Sequence, residues 1–193
     1  MQQHPTFIEE LMAAGRGTLG LFVGNRQAGA YFDFSRRGLV TSFIALLLVT
    51  LLNVTMPTIM GVENESIAQN AAIVAILFLL QLAVAAIALR QLKRLDGFVP
   101  YLVADNWTTF FLTLISTALV AAGITSDFSL VVIGVVVILI EVNIARFIVT
   151  LSPMQIAIFL IAQLVGVAVG LLLIGFLFPL PPEVVAAAAG TSG

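Results

Sequence analysis

The chain has 193 residues, of which 61% are hydrophobic and 9% are charged, and its mean hydropathy is +1.15. A soluble domain usually carries about a quarter charged residues, so this chain has too little polar surface to face water on all sides. The net charge of −2 and the lack of a basic tract argue against a nucleic-acid partner. Without cysteine, and with His4 as the single histidine, no metal site or cofactor is expected.

Residues 1–37 precede any long apolar run, and we predict a cytoplasmic, interfacial segment there. The pattern from Thr6 to Glu9 is that of a capping box, and the apolar residues around it fall on one face of a short amphipathic helix. Aromatic residues just before Arg36 and Arg37 are typical of an interfacial anchor. We favour a segment that lies along the membrane surface over a helix that docks a partner.

Five apolar runs follow, and each is long enough to cross about 30 Å of hydrocarbon as a helix. A helix satisfies its own backbone polar groups, which lipid cannot do. The predicted fold is therefore all-α, a polytopic helical membrane protein with five transmembrane helices in residues 38–178 and a flexible tail at 179–193. The predicted spans are about 39–60, 67–89, 102–122, 130–149 and 154–178.

Two connections carry the sequence signature of a helix start. The pattern from Ser66 to Gln69 predicts a capping box that opens the second span. The pattern from Ser152 to Gln155 predicts another, with Pro153 at the first helical position. Because this second signal leaves almost no loop, the fourth and fifth spans are expected to form a tight antiparallel hairpin.

The basic residues predict the orientation. All eight lie on one side of a five-span arrangement, and the loops and tail on the other side have none. The positive-inside rule places that side in the cytoplasm. We therefore expect a multi-pass protein of the cell inner (cytoplasmic) membrane, with a cytoplasmic N-terminus and a periplasmic or extracytoplasmic C-terminus. The basic residues are Arg16, Arg26, Arg36, Arg37, Arg90, Lys93, Arg94 and Arg146.

The fourth span contains the candidate polar residues Glu141, Asn143 and Arg146. Glu141 precedes Ser152 by 11 residues. This spacing corresponds to ~16 Å along a helix axis, close to the membrane midplane. A carboxyl group at that depth must find a partner or take up a proton. Arg146 is nearer the turn and can extend its guanidinium to the cytoplasmic interface.

Gln163 is the predicted partner of Glu141, because it lies 11 residues beyond Ser152 and thus at the same depth of the hairpin. Two interpretations of Glu141 remain open. It is a proton- or ion-linked carboxylate, or its hydrogen bond to Gln163 fixes the pairing of two helices, which we favour. A ridge of small residues beside Gln163 predicts close helix contact, either in the hairpin or with another membrane protein or a second copy. The ridge consists of Ala162, Gly166 and Gly170.

The third span carries a weaker candidate stripe of polar residues on one face, Asp105, Thr109, Thr113 and Ser116. Such a stripe can face a water-filled path. Serine and threonine in membrane helices more often bond their own backbone or pack against a neighbouring helix, and we favour this interpretation.

An N-terminal cytoplasmic segment followed by five closely spaced spans resembles the Yip1 family. That resemblance implies a role in membrane trafficking and organisation. Around residues 32–38 and at Asn106-Trp107 the chain is also similar to uncharacterised bacterial inner-membrane proteins of about this length. Neither resemblance carries over a functional residue.

Three classes of function remain, in this order. The first is a non-enzymatic accessory or scaffold protein of membrane organisation, which binds other membrane proteins through its helices. The second is a small transporter or channel component that uses Glu141 for proton or ion coupling. The third, an intramembrane enzyme, lacks a His–Glu zinc motif, an Asp pair in matched spans and a Ser–His or Ser–Lys constellation, so no catalytic residue is predicted.

Overall fold

The computed structural model describes residues 6–59, 67–124 and 126–179. Within these ranges the chain is helical and contains no strand, and five of its helices are long and apolar enough to cross a membrane. This confirms the predicted all-α polytopic fold. The helices are α1 (Phe7–Phe22), α2 (Arg36–Ile59), α3 (Ile67–Gln91), α4 (Phe98–Ala121), α5 (Asp127–Asn143) and α6 (Pro153–Leu177). A π-helical turn, Ile144–Ile148, continues α5.

Local sequence signals set two helix starts as predicted. At α6, the Ser152 hydroxyl accepts a hydrogen bond from the Gln155 backbone N–H, and the Gln155 side chain accepts one from the Ser152 N–H. At α1, Thr6 and Glu9 form the same reciprocal capping box. Each box satisfies two N–H groups that a helix start leaves without partners. The capping box predicted at Ser66 lies outside the described residues.

Helices α2 and α4 run parallel, because α3 returns the chain between them. The Asn106 side-chain amide donates to the Ser42 hydroxyl at 3.1 Å, and the Asn53 amide donates to the Thr117 hydroxyl at 3.4 Å. Both bonds join residues 64 apart in sequence. The two helices are therefore in constant register between the two bonds.

Helices α3 and α6 pair antiparallel through the predicted glycine ridge. A Cβ atom added at Gly166 would lie 2.9 Å from a Val84 methyl, and one at Gly170 would lie 2.7 Å from a Leu77 methyl. The prediction that this ridge meets the preceding span is therefore wrong, whereas its contact with another membrane protein or a second copy stays a prediction. The two glycines are buried against α3, whose branched side chains fill the space that a missing Cβ leaves.

The connection between α5 and α6 explains why the expected tight hairpin does not form. After the π-helical turn, Thr150 adopts φ = +58°, and Ser152 then opens α6. Positive φ is unusual for a β-branched residue, and here it redirects the chain. The Arg94 guanidinium, from the α3–α4 connection, donates to the Thr150 carbonyl at 2.6 Å and to its hydroxyl at 2.6 Å. As a result α6 packs mainly on α3 rather than on α5.

Helix α1 lies within the segment predicted to be interfacial. It is a single helix, and it packs onto the bundle, a contact that the sequence did not predict. Its inner face is buried against α4 and α5 and includes Glu10, Ala14 and Leu21. Nearly opposite, Ile8 and Leu19 are exposed and form an apolar stripe. One face of α1 thus belongs to the protein core, and the other continues the apolar outer surface of the spans.

Candidate functional site: an intramembrane carboxyl cluster

The carboxyl groups of Asp105 and Glu141 approach each other between α4 and α5 closely enough to interact. Both side chains are half-buried by protein alone and sit inside predicted spans. They come together because α4 and α5 are consecutive spans that run in opposite directions. Glu141 therefore faces a second acid instead of the predicted amide of Gln163.

Tyr101 lies one helical turn before Asp105 and connects this pair to α6. Its ring is 1% exposed and packs edge-on against Phe159, with ring centroids 5.1 Å apart. Its hydroxyl accepts a hydrogen bond of 2.7 Å from the Gln163 side-chain amide. Gln81 on α3 lines one recess together with Tyr101 and Asp105. Four spans thus supply the carboxyl cluster, which we define as Gln81, Tyr101, Asp105, Glu141 and Gln163.

The carboxyl cluster has more hydrogen-bond acceptors than donors. Oε2 of Glu141 and Oε1 of Gln163 are buried and have no hydrogen-bond partner among the described residues. Two carboxylates repel each other when both are ionised, whereas one proton held between them makes the contact a strong hydrogen bond. The arrangement therefore suits a bound proton, or a small cation that takes oxygen ligands. No group of three or more His, Cys, Asp or Glu residues suitable for a metal ion occurs in the described ranges.

A narrow recess reaches the carboxyl cluster between α3 and α4. It is lined by Gln81, Tyr101 and Asp105 and has about 10 Å³ of space for the centres of water molecules. That is room for roughly one water molecule. A second recess of about 110 Å³ between α3 and α6 shares Gln81 with the first and is otherwise lined by apolar residues and Gly166.

The predicted pair of Glu141 and Gln163 does not form, and Asn143 and Arg146 make contacts that the sequence did not predict. Gln163 bonds to Tyr101, so the predicted Glu141–Gln163 pair is wrong. The Asn143 amide donates to the backbone carbonyl of Leu21 in α1 at 2.7 Å, a buried bond that ties α1 to α5. Arg146 is exposed, and its guanidinium lies 5.2 Å from the centre of the Phe147 ring.

The weaker stripe on α4 is divided by the structure. Asp105 belongs to the carboxyl cluster, whereas Thr109, Thr113 and Ser116 are half-buried further along the helix, towards its C-terminal end. The predicted third span, about 102–122, places Asp105 in the first turn of its helix. Because α4 begins at Phe98, Asp105 instead lies two turns inside the helix.

Sequence reasoning missed the pairing of Asp105 with Glu141 and the role of Tyr101. A signal for both was present. Asp105 and Glu141 are the two acidic residues in the interiors of the five apolar runs, and Tyr101 lies four residues before Asp105, on the same helical face. Two acids at membrane depth would each need a proton or a donor if they were apart. Together they can share one proton, which favours their pairing.

Comparisons of this chain with family models, curated proteins and solved structures gave no match in any of the three. The chemistry of the carboxyl cluster and the five-span architecture are therefore the basis for assigning a function.

Proposed function

We propose that this protein is a small proton-linked transporter or channel component, and that the Asp105–Glu141 pair binds and releases the proton. The observation that carries the proposal is the contact between two carboxyl groups. An amide partner would have satisfied an ionised Glu141 and left it with a structural role. A carboxyl partner provides no donor unless a proton is present, so the contact depends on protonation.

The neighbours of the pair support this proposal. Tyr101 is held by Gln163 and Phe159, so its hydroxyl is fixed one turn away from Asp105. The one-water recess reaches Asp105 and gives a proton a place from which to exchange. A proton moves between hydrogen-bonding groups and single water molecules, so a cavity large enough for a solute is unnecessary.

We further propose that the protein lies in the cytoplasmic membrane with its N-terminus in the cytoplasm. The support is the one-sided distribution of basic residues along the sequence. Arg94 contacts Thr150, so two of the connections assigned to the cytoplasm meet at the same end of the bundle. The resemblance to Yip1 proteins and the absence of enzymatic activity stay predictions.

A non-enzymatic accessory or scaffold protein is the second candidate. One observation favours it: the recess beside Asp105 holds about one water molecule, which is little space for a transport path. In that case the two carboxyls share a permanent proton, and the pair only fixes the contact between α4 and α5. The two candidates differ in whether the proton exchanges with the solvent.

The test uses the full chain reconstituted in liposomes. We expect wild-type protein to show an infrared C=O band of a protonated carboxyl that exchanges in D₂O, together with proton flux down an imposed pH gradient. Glu141→Gln and Asp105→Asn should each abolish the flux and remove the band, because either change removes the shared proton. Asp96→Asn, an exposed acid in the α3–α4 connection, is the matched control and should leave both unchanged.

Two results would contradict the proposal. Flux that is equal in wild type, Glu141→Gln and Asp96→Asn would remove the pair from any transport role. A protonated-carboxyl band that persists without exchange in D₂O would assign the pair to the structural role of the second candidate.

A further inference from the structure

Helix α1 contacts both helices that carry the acidic pair. On α4 and on α5, the contact is made by the residue two positions after the acid. Near its start, the Phe7 ring packs against Trp107, with ring centroids 6.1 Å apart. At its end, the Leu21 carbonyl accepts the 2.7 Å hydrogen bond from Asn143. Trp107 follows Asp105 by two residues, and Asn143 follows Glu141 by two. A helix that touches both places spans the junction of α4 and α5.

The position of α1 relative to the acids follows from helix geometry. Residues two apart on an α-helix lie about 200° apart, on opposite faces. Trp107 and Asn143 therefore face away from the acids, while Gln81 and Gln163 approach from the other side on α3 and α6. The junction that holds the pair is enclosed between α1 and the α3–α6 pair.

The contacts of α1 are close and largely dry. A Cβ atom added at Gly15 would lie 3.3 Å from the Phe111 ring, so α1 lies tightly against α4. Leu21 is fully buried, and Asn143 is 9% exposed. Their hydrogen bond forms at the boundary between α5 and its π-helical turn, and such turns frequently mark functional sites in helices.

We propose that α1 is a positioning element for the carboxyl pair, a brace that sets the separation of α4 and α5 and thereby controls how fast the shared proton exchanges. This inference rests on the proposed function, since it assigns the regulation of the same site. Phe7 and Asn143 are positioning residues, because they act on the acids through Trp107 and through the α5 backbone. Loosening either end of α1 lets α4 and α5 separate and opens the pair to water.

The experiment uses the full chain in lipid nanodiscs and two readouts. Trp107 is the only tryptophan, so its emission reports directly on the contact with α1. The rate of D₂O exchange of the carboxyl C=O band reports on the pair. Phe7→Ala should shift the Trp107 emission to longer wavelength and speed the exchange by about tenfold, in proportion to the loss of one aromatic contact. Phe7→Leu should return both the Trp107 emission and the exchange rate most of the way to their wild-type values.

The matched control is Leu19→Ala, which truncates an apolar side chain on the exposed stripe of the same helix. It should leave both readouts at the wild-type value. Asn143→Leu is the second variant, which keeps the side-chain volume and removes the donor to Leu21. It should speed the exchange while leaving the Phe7–Trp107 contact, and so the emission, nearly unchanged.

The outcomes separate this inference from the proposed function. If Phe7→Ala changes the emission but exchange stays at the rate of Leu19→Ala, and Asn143→Leu also exchanges at that rate, then α1 is not a brace and the proton-binding pair stands. If wild type shows no exchanging band, the proposed function fails and the brace has no site to regulate.

Discussion

The side-chain amide of Asn106 donates a hydrogen bond to the hydroxyl of Ser42, and both residues are fully buried. The Ser42 hydroxyl in turn donates to the Leu39 carbonyl of its own helix at 2.8 Å, so it accepts from one span and donates within the other. The bond therefore fixes α4 against α2 in both rotation and register.

Removing this bond should loosen the α2–α4 pair by a measurable amount. A double-mutant cycle with Asn106→Ala and Ser42→Ala is expected to give a coupling free energy between about 0.6 and 1.7 kcal/mol, the average and the maximum for hydrogen bonds between membrane helices. Unfolding in mixed micelles measures it. The cycle on Asn53 and Thr117, whose bond is longer and exposed, is the comparison and should give a smaller value. Equal coupling in both cycles would contradict the importance of burial.

Gly166 lies in the α3–α6 contact, where an added Cβ atom would be 2.9 Å from a Val84 methyl. Gly166→Ala should lower the free energy of unfolding by about 1–3 kcal/mol, because the new methyl overlaps Val84 in a packed contact. Val84→Ala on the same background should restore part of the loss. Gly175→Ala, on the same helix with no atom within 4 Å of the added Cβ, should not destabilise the protein. A similar loss in Gly166→Ala and Gly175→Ala would show that α3 does not cover this ridge.

Glu10 makes the docking of α1 dependent on pH. Burial against the bundle raises the pKa of its carboxyl, and the nearby carboxylate of Asp33 raises it further, while Thr41 and Arg37 lower it. The docked state then binds the proton more tightly than the undocked state. Docking is therefore strongest below the ordinary glutamate pKa and weakens as the pH rises through the raised value of the docked state.

The measurement is Trp107 emission, or protease cleavage at Arg16, as a function of pH. Glu10→Gln should remove this pH dependence and keep α1 docked at neutral pH. Glu9→Gln is the control with the opposite sign: the capping hydrogen bonds from Thr6 lower the pKa of Glu9, so its contribution to α1 is lost as the pH falls. A docking equilibrium that strengthens with rising pH in wild type would refute the assignment to Glu10.

Replacing Arg94, even by lysine, should lower the free energy of unfolding. Its guanidinium donates to the carbonyl groups of Val149 and Thr150 and to the Thr150 hydroxyl, and it therefore stabilises the positive φ of Thr150. Lysine has a single ammonium group and cannot match this forked geometry. Arg94→Lys is expected to lower the free energy of unfolding by roughly 1.5–3 kcal/mol. Arg90→Lys, at an exposed position on α3, should be neutral, and an equal effect of the two changes would contradict the argument.

The extent of each span could be predicted from sequence because hydrocarbon thickness and helix geometry set it. The capping box at Ser152 was equally accessible, since its hydrogen bonds join residues three apart. The predicted start of the third span at 102 was late by one turn, because α4 begins at Phe98, directly after the charged connection that contains Arg94 and Asp96.

The neighbours of each span could not be predicted in the same way. A small-residue ridge such as Gly166 and Gly170 indicates that a helix approaches closely, but it does not indicate which helix, because the apolar faces of α3 and α5 are alike in composition. The short loop before Ser152 indicated α5 as the helix that packs against the ridge. The positive φ of Thr150 redirects the chain, and α6 packs on α3 instead. The error carried over to Glu141, whose partner was derived from that hairpin.

The constant offset of 64 residues between α2 and α4 has a consequence for biosynthesis. Neither bond can form until α3 has crossed the membrane and α4 has entered it. The parallel pair therefore assembles after insertion, as a lateral step between spans already in lipid. Until then the side-chain amide of Asn53 has no partner on α4. Its bond to Thr117 can form only once more than half of the chain has been synthesised.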